Sequence, residues 1–149
     1  MPERKTLKRA AEDKREGKAP STQAGEFVRE EMEHVREGKH GARSAKQAIA
    51  IGLSKARRAG VALKPPAKGK APAKTRRSAK LANAAGAHKT ASVSPRRSRA
   101  TTAALKREGS SAASPIALSR HAKAVARKRG PTARSAAARK AARTRSRKT

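Results

Sequence analysis

Apolar residues recur at helical spacing three times in the first 63 positions and then thin out into alanine. Residues 3–16 predict a short helix of mixed charge, with Leu7, Ala10 and Ala11 on one side and Gly17 as its stop. A second helix is expected from about Gln23 to Glu37. At about 100° per residue, Ala24, Phe27, Val28, Met32 and Val35 form one apolar stripe, and Gly38 and Gly41 break it. The third helix has the clearest punctuation. Ser44-Ala45-Lys46-Gln47 reads as a capping box, in which the Ser44 hydroxyl accepts from the Gln47 amide and the Gln47 side chain reaches back. Ala45, Ala48, Ile49, Gly52, Leu53 and Ala56 follow at helical spacing. Gly60 suits the left-handed residue beyond the helix, Val61 can pack back onto Ala56, and Pro65-Pro66 forbids continuation. The triplet Arg-Glu-Gly at 15–17, 36–38 and 107–109 reads as repeated helix-stop chemistry.

From Lys64 onward the pattern dissolves into Ala, Lys, Arg, Ser, Thr and Pro. The chain has one Phe, no Trp and no Tyr, and alanine supplies most of its 35% hydrophobic content. Such a composition buries too little apolar surface to offset the entropy of ordering all 149 residues. The expected fold class is therefore all-α: a small helical head over 1–63 followed by a long disordered polybasic tail over 64–149. One tail segment, 115–129, is better organised. Ser114-Pro115 supplies an N-cap and a first-turn proline, and Gly130-Pro131 a stop. Leu118, Ala122 and Val125 share the face opposite Arg120, Lys123 and Arg127, so a polyanion could induce a helix there.

Charge sharpens this division. Residues 1–37 hold nine of the ten acidic residues and nine Lys or Arg, so the whole formal charge of +30 belongs to residues 38–149. A chain this positive calls for a polyanionic partner, and nucleic acid is the abundant one. The candidate phosphate-binding residues are the dispersed tail cations Arg76, Arg77, Arg96, Arg97, Arg99, Arg120, Lys123, Arg127, Lys128, Arg129, Arg139, Lys140, Arg143, Arg145, Arg147 and Lys148. A duplex presents a phosphate about every 1.7 Å of axis, so dispersed cations on a flexible chain can track it without exact register. The alternative is a solvated tail kept for solubility. Readers of single strands stack bases on aromatic side chains, and only Phe27 is present, on the apolar stripe. Duplex backbone binding is thus favoured over sequence-specific single-strand recognition.

Several local features admit two readings. Ser94-Pro95-Arg96-Arg97 resembles the Ser-Pro-basic-basic turns of linker-histone tails, which present two cations to a narrow minor groove. Helices two and three read either as a helical hairpin or as a helix-turn-helix with Lys46, Gln47, Arg57 and Arg58 outward. Glu26, Glu30, Glu33 and Glu37 form one acidic stripe, either solvated or docking the basic tail. Ala48 and Gly52 are small enough to admit a second helix closely, which predicts a homodimer through the head.

Catalytic and metal readings fail on inventory. His34, His40, His88 and His121 lack carboxylate or Cys partners at ligand spacing, with only Glu33 and Glu37 flanking His34. There is no cysteine and no phosphate-binding glycine loop. No enzyme, metal or cofactor is expected. No apolar run reaches the ~18–20 residues of a membrane span, and Met1-Pro2-Glu3-Arg4-Lys5 lacks the apolar run of a signal peptide.

The stretch from Ala24-Gly25-Glu26-Phe27-Val28-Arg29-Glu30-Glu31 through Lys39-His40-Gly41-Ala42-Arg43-Ser44-Ala45-Lys46-Gln47-Ala48-Ile49-Ala50-Ile51-Gly52-Leu53 to Gly60 resembles a small bacterial family of unknown function. Its members pair such a head with a basic Ala/Lys-rich tail and are sometimes described as DNA-binding or plasmid-stabilisation proteins. The resemblance covers about the first 63 residues and implies a bacterial cytoplasmic protein. It carries no established binding residues. The tail texture is similar to that of linker histones and of basic histone-like bacterial proteins. Together these features lead to an expectation of non-sequence-specific binding to nucleic acid, duplex DNA in particular, by a nucleoid-associated or linker-histone-like protein. The rivals are a structured-RNA or ribosome-associated binder, and a protein-interaction head whose basic tail only localises it.

Overall fold

The computed structural model describes residues 1–88 and 94–146, with the side chain of His88 outside that description. Among the described residues the regular structure is entirely helical, without a strand: α1 (Arg4–Arg15), α2 (Pro20–Arg36), α3 (Ala45–Arg58), α4 (Ala73–His88), α5 (Pro95–Lys106), a single 3₁₀ turn (Ser111–Ala113) and α6 (Pro115–Ser146). Two compact units result, Met1–Ser114 and Pro115–Thr149.

The first three helices form where the apolar spacing and the stop signals place them. Left-handed glycines close them. Beyond α2, Gly38 takes the left-handed conformation (φ 71°), Gly38 N donates to Val35 O (3.3 Å) and Lys39 N to His34 O (3.0 Å). This satisfies carbonyls that the helix leaves unpaired. The Ser44 hydroxyl accepts from Gln47 N (3.2 Å) at the start of α3. The Gln47 side chain reaches back one residue further than a capping box requires and accepts from Arg43 N (2.8 Å).

The core is thin and made of small residues. Phe27 packs with Ala10, Ala24, Ala56 and Val61, with Leu53 and Leu63 partly buried against them. α2 and α3 meet backbone to backbone. A Cβ on Gly52 would lie 2.7 Å from Val28 Cα and 3.0 Å from Phe27 O. The close approach that small residues on α3 permit is therefore made by α2 of the same chain. Gly52 and Ala48 are both buried, so that face is not open to a second copy.

The expected disordered tail over 64–149 is overturned. Most of its described residues are helical, and 73–88 and 94–114 belong to the first unit. Ala79 and Ala82 of α4 are buried, and Asn83 Nδ2 donates to Leu63 O (3.1 Å). Beyond α5, the chain returns to the head along the third Arg-Glu-Gly triplet. Gly41 N donates to Leu105 O (2.9 Å), Ala42 N to Gly109 O (3.1 Å), and Arg36 Nε to Ala113 O (3.0 Å). Ala112 and Ala113 are buried beneath this contact. The physical reason is that alanine buries little area per residue but lets backbones come close enough for hydrogen bonds and dense packing. The third triplet thus acts as a docking strap as well as a helix stop.

This docking predicts a sensitive position. A Cβ on Gly41 would collide with Glu108 O and lie 2.8 Å from Gly109 O. Gly41→Ala is expected to release residues 105–114, lose two backbone hydrogen bonds and destabilise the unit by about 2–3 kcal/mol. Hydrogen exchange at the Gly41 and Ala42 amides measures it. Protection equal to that of the parent chain would contradict the docking.

Candidate nucleic-acid interface

Among the described helices α6 carries the largest uncompensated charge, ten Lys and Arg with no acidic residue. Pro115 sits at its first position, as the Ser114-Pro115 signal predicts. The helix is interrupted at Gly130 (φ 73°, ψ 168°), at the Gly130-Pro131 stop, and helical geometry then resumes to Ser146. The segment expected to need a polyanion to fold is therefore already helical, and its helix extends beyond the expected limit. None of its residues is buried. Arg120, Lys123, Arg127, Lys128, Arg129, Arg139, Lys140, Arg143 and Arg145 are all exposed on it. So is Arg134, which charge clustering overlooked because it stands alone in the sequence. α6 contains no acidic residue, so these cations have no partner within the helix. Pairs such as Lys123 with Arg127, one turn apart, repel by about 0.2–0.5 kcal/mol. A line of phosphates would relieve that repulsion.

The remaining candidates divide. Arg96, Arg97 and Arg99 are exposed on α5, whose residues are likewise unburied. Pro95 is the first residue of that helix, so Ser94 to Arg97 starts a helix instead of forming the free turn that its likeness to linker-histone tails implied. On α4, Arg77 is exposed, whereas Arg76 is half-buried and its Nε is out of solvent. Arg147 and Lys148 lie outside the described residues.

The helix-turn-helix reading of the head loses its outward set. Arg57 is 8% exposed and donates from Nε to Leu63 O and from Nη2 to Lys64 O, each at 3.4 Å. Burial pulls its guanidinium below the usual arginine range. Gln47 is occupied in capping α3. Lys46 and Arg58 alone remain exposed.

The acidic stripe is largely neutralised by head cations. Glu26 pairs with Arg29 and lies 3.8 Å from Arg9, and Glu37 Oε2 lies 2.9 Å from Lys39 Nζ. Glu30 is buried, accepting from Glu3 N (3.0 Å) and from Lys55 Nζ (3.2 Å). Burial alone would raise its carboxyl. The Thr6 side chain, the Glu3 amide and Lys55 outweigh that and hold it below the ordinary carboxylate range. Of the four, Glu33 alone is exposed and outside these ion pairs, so a continuous acidic dock for the tail is not present.

Folding also assembles a group that inventory along the chain did not reveal. Glu31, one residue beyond the stripe member Glu30, is fully buried, and a ring nitrogen of His34 and of His40 each lies within 4.8 Å of its carboxylate. The signal available was the i, i+3 spacing of Glu31 and His34 on α2. His40 joins them only because the Gly38 turn folds the chain back.

Neither a family model, nor a curated protein, nor a solved structure matches this chain.

Proposed function

We infer that the protein binds duplex nucleic acid, DNA in particular, through phosphate contacts from α6 and α5, without reading base sequence. The observation that carries this reading is α6 itself: a 32-residue helical element with no buried residue and no carboxylate, bearing ten Lys and Arg. Its working mechanism is counterion release, in which side-chain cations displace condensed ions from the phosphates. Arginine dominates the element, so two-pronged contacts to phosphate are available beside the point charges of lysine. Phe27 is 1% exposed, so the chain's one aromatic ring of the Phe/Tyr/Trp class offers no platform for unstacked bases, which supports duplex over single-strand binding. Among the described residues no helix is long and apolar enough to cross a membrane.

Fluorescence anisotropy with the full chain tests this. Labelled duplexes of unrelated sequence, a single strand of equal length and a structured RNA hairpin are compared at one salt concentration. The expected result is equal affinity for all duplexes and weaker binding to the single strand. RNA binding that duplex DNA cannot displace would move the assignment to structured RNA.

A further inference from the structure

We propose that Glu31, His34 and His40 form a binding site for one divalent first-row transition-metal cation. The site is independent of the basic surface on α6, and nothing in the nucleic-acid reading requires it.

The geometry follows from local structure. Glu31 and His34 stand one turn apart on α2 and share a face. The left-handed Gly38 turn, closed by Lys39 N donating to His34 O at 3.0 Å, reverses the chain and lays His40 across that face. His40 Nε2 comes within 3.3 Å of Glu31 Oε1. One ligand atom from each of the three residues lies within 4.8 Å of those of the other two. Around a tetrahedral ion with bonds of about 2.0–2.1 Å, neighbouring donors are about 3.3 Å apart. The Glu31–His40 edge already has that length, and the His34 donor, within 4.8 Å of the other two, must move in to complete the third corner.

Hydrogen bonding sets the ring tautomers. His40 Nδ1 lies 3.1 Å from the Gly41 carbonyl, which can only accept, so Nδ1 carries the proton. In the neutral ring Nε2 then presents a lone pair to a carboxylate oxygen. Two acceptors facing each other at 3.3 Å call for a cation between them. His34 Nε2 lies 2.8 Å from Glu3 Oε1, likewise an acceptor, which leaves the lone pair of the neutral ring on Nδ1. His40 therefore has the outer carbonyl partner that orients histidines bound to metals, and Glu3 holds one nitrogen of the His34 ring.

Glu31 supplies an independent observation. Its side chain is 0% exposed, and neither oxygen accepts an aligned hydrogen bond. Lys55 Nζ is close to Oε2 (2.7 Å) and His40 Nε2 to Oε1 (3.3 Å), yet these are charge contacts without hydrogen-bond geometry. An anion this buried is costly unless compensated. Lys55 compensates the Oε2 side, and the Oε1 side faces the histidines. Two imidazoles and one carboxylate suit Zn²⁺, Fe²⁺, Co²⁺ or Ni²⁺ over Mg²⁺ or Ca²⁺, and three protein ligands leave a position for water. The competing account is a doubly protonated His40 that pairs with Glu31 and binds no metal.

The test uses the full chain, stripped with chelator and free of nucleic acid. It is titrated with Zn²⁺ by calorimetry and with Co²⁺ by visible absorption, alongside His34→Ala, His40→Ala and the control His121→Ala. One equivalent should bind, with a cobalt d–d spectrum. His34→Ala and His40→Ala should each weaken binding by at least ~10-fold, while His121→Ala leaves it unchanged. Because the two variants touch a thin core, paramagnetic Co²⁺ broadening in the parent chain provides a second readout. It should centre on the ring signals of His34 and His40. No saturable binding, binding that survives both substitutions, or broadening centred elsewhere would overturn the site and leave the proton-bridged pair.

Discussion

Gly52→Leu is expected to destabilise the 1–114 unit strongly rather than to alter its assembly. The first added carbon already meets Val28 Cα at 2.7 Å and the Phe27 carbonyl and Val28 amide nitrogen at 3.0 Å. These are backbone atoms of a neighbouring helix, which cannot swing aside as the end of a side chain can. Overpacking a core with extra methylenes costs about 1–3 kcal/mol even where side chains can yield. Here α2 and α3 must separate, so a loss of about 3 kcal/mol or more is expected, against the ~5–15 kcal/mol total of an ordinary domain. The melting temperature should fall by roughly 10–20 °C. Gly52→Ala should fall between the two, since its Cβ makes the same contact without the branched tail. Thermal unfolding by circular dichroism measures both. A Gly52→Leu chain as stable as the parent would show that α2 and α3 do not pack through this glycine.

Replacing Arg120, Lys123 and Arg127 together by glutamine should weaken duplex binding and flatten its salt dependence. If about ten phosphates are engaged, the parent chain should show a log–log slope of affinity against salt of roughly −9, and each lost contact should remove about 0.9 from its magnitude. The triple variant should therefore show a slope of roughly −6, with a proportionate loss of affinity at low salt. Glutamine keeps good helix propensity and removes the Lys123–Arg127 repulsion, so α6 itself should be no less helical. Because these residues are exposed, the change spares the packed unit. Deleting everything after residue 64 would not serve, since it strips Ala79, Ala82, Ala112 and Ala113 from the core. An unchanged slope would place the phosphate contacts elsewhere.

Much of the helical framework is legible in the chain alone. The stripe from Ala24 to Val35, the Ser44 cap, the Gly38 and Gly60 stops and the Ser114-Pro115 start are local signals, and each acts within one or two helical turns. The candidate phosphate ligands on α6 are equally legible, because exposed charge is a property of composition. Two expectations fail for one reason. Scarcity of large apolar residues suggests a disordered tail, and small residues on α3 suggest a second copy. Both inferences count side-chain area and neglect how closely backbones approach when side chains are small. Ala112 and Ala113 are buried by the strap that Gly41 admits, and Gly52 is covered by α2.

What the chain determined by itself is therefore what depends on near neighbours: where the first three helices begin and end, which face of α2 and of α3 is apolar, and how unevenly charge is spread. On α1 the expected apolar side is not the buried one, since Leu7 and Ala11 are exposed and Thr6, Ala10 and Asp13 are buried. Only the tertiary structure decided which elements meet. It brought Leu105 and Gly109 to the backbone amides of Gly41 and Ala42, took Arg57 out of solvent, and neutralised much of the acidic stripe with Arg9, Arg29, Lys39 and Lys55. It also folded His40 over Glu31 and His34. Contacts of this kind join residues far apart in sequence or across a turn. Their energies come from close packing and from desolvated charge, and neither exists until the chain has folded.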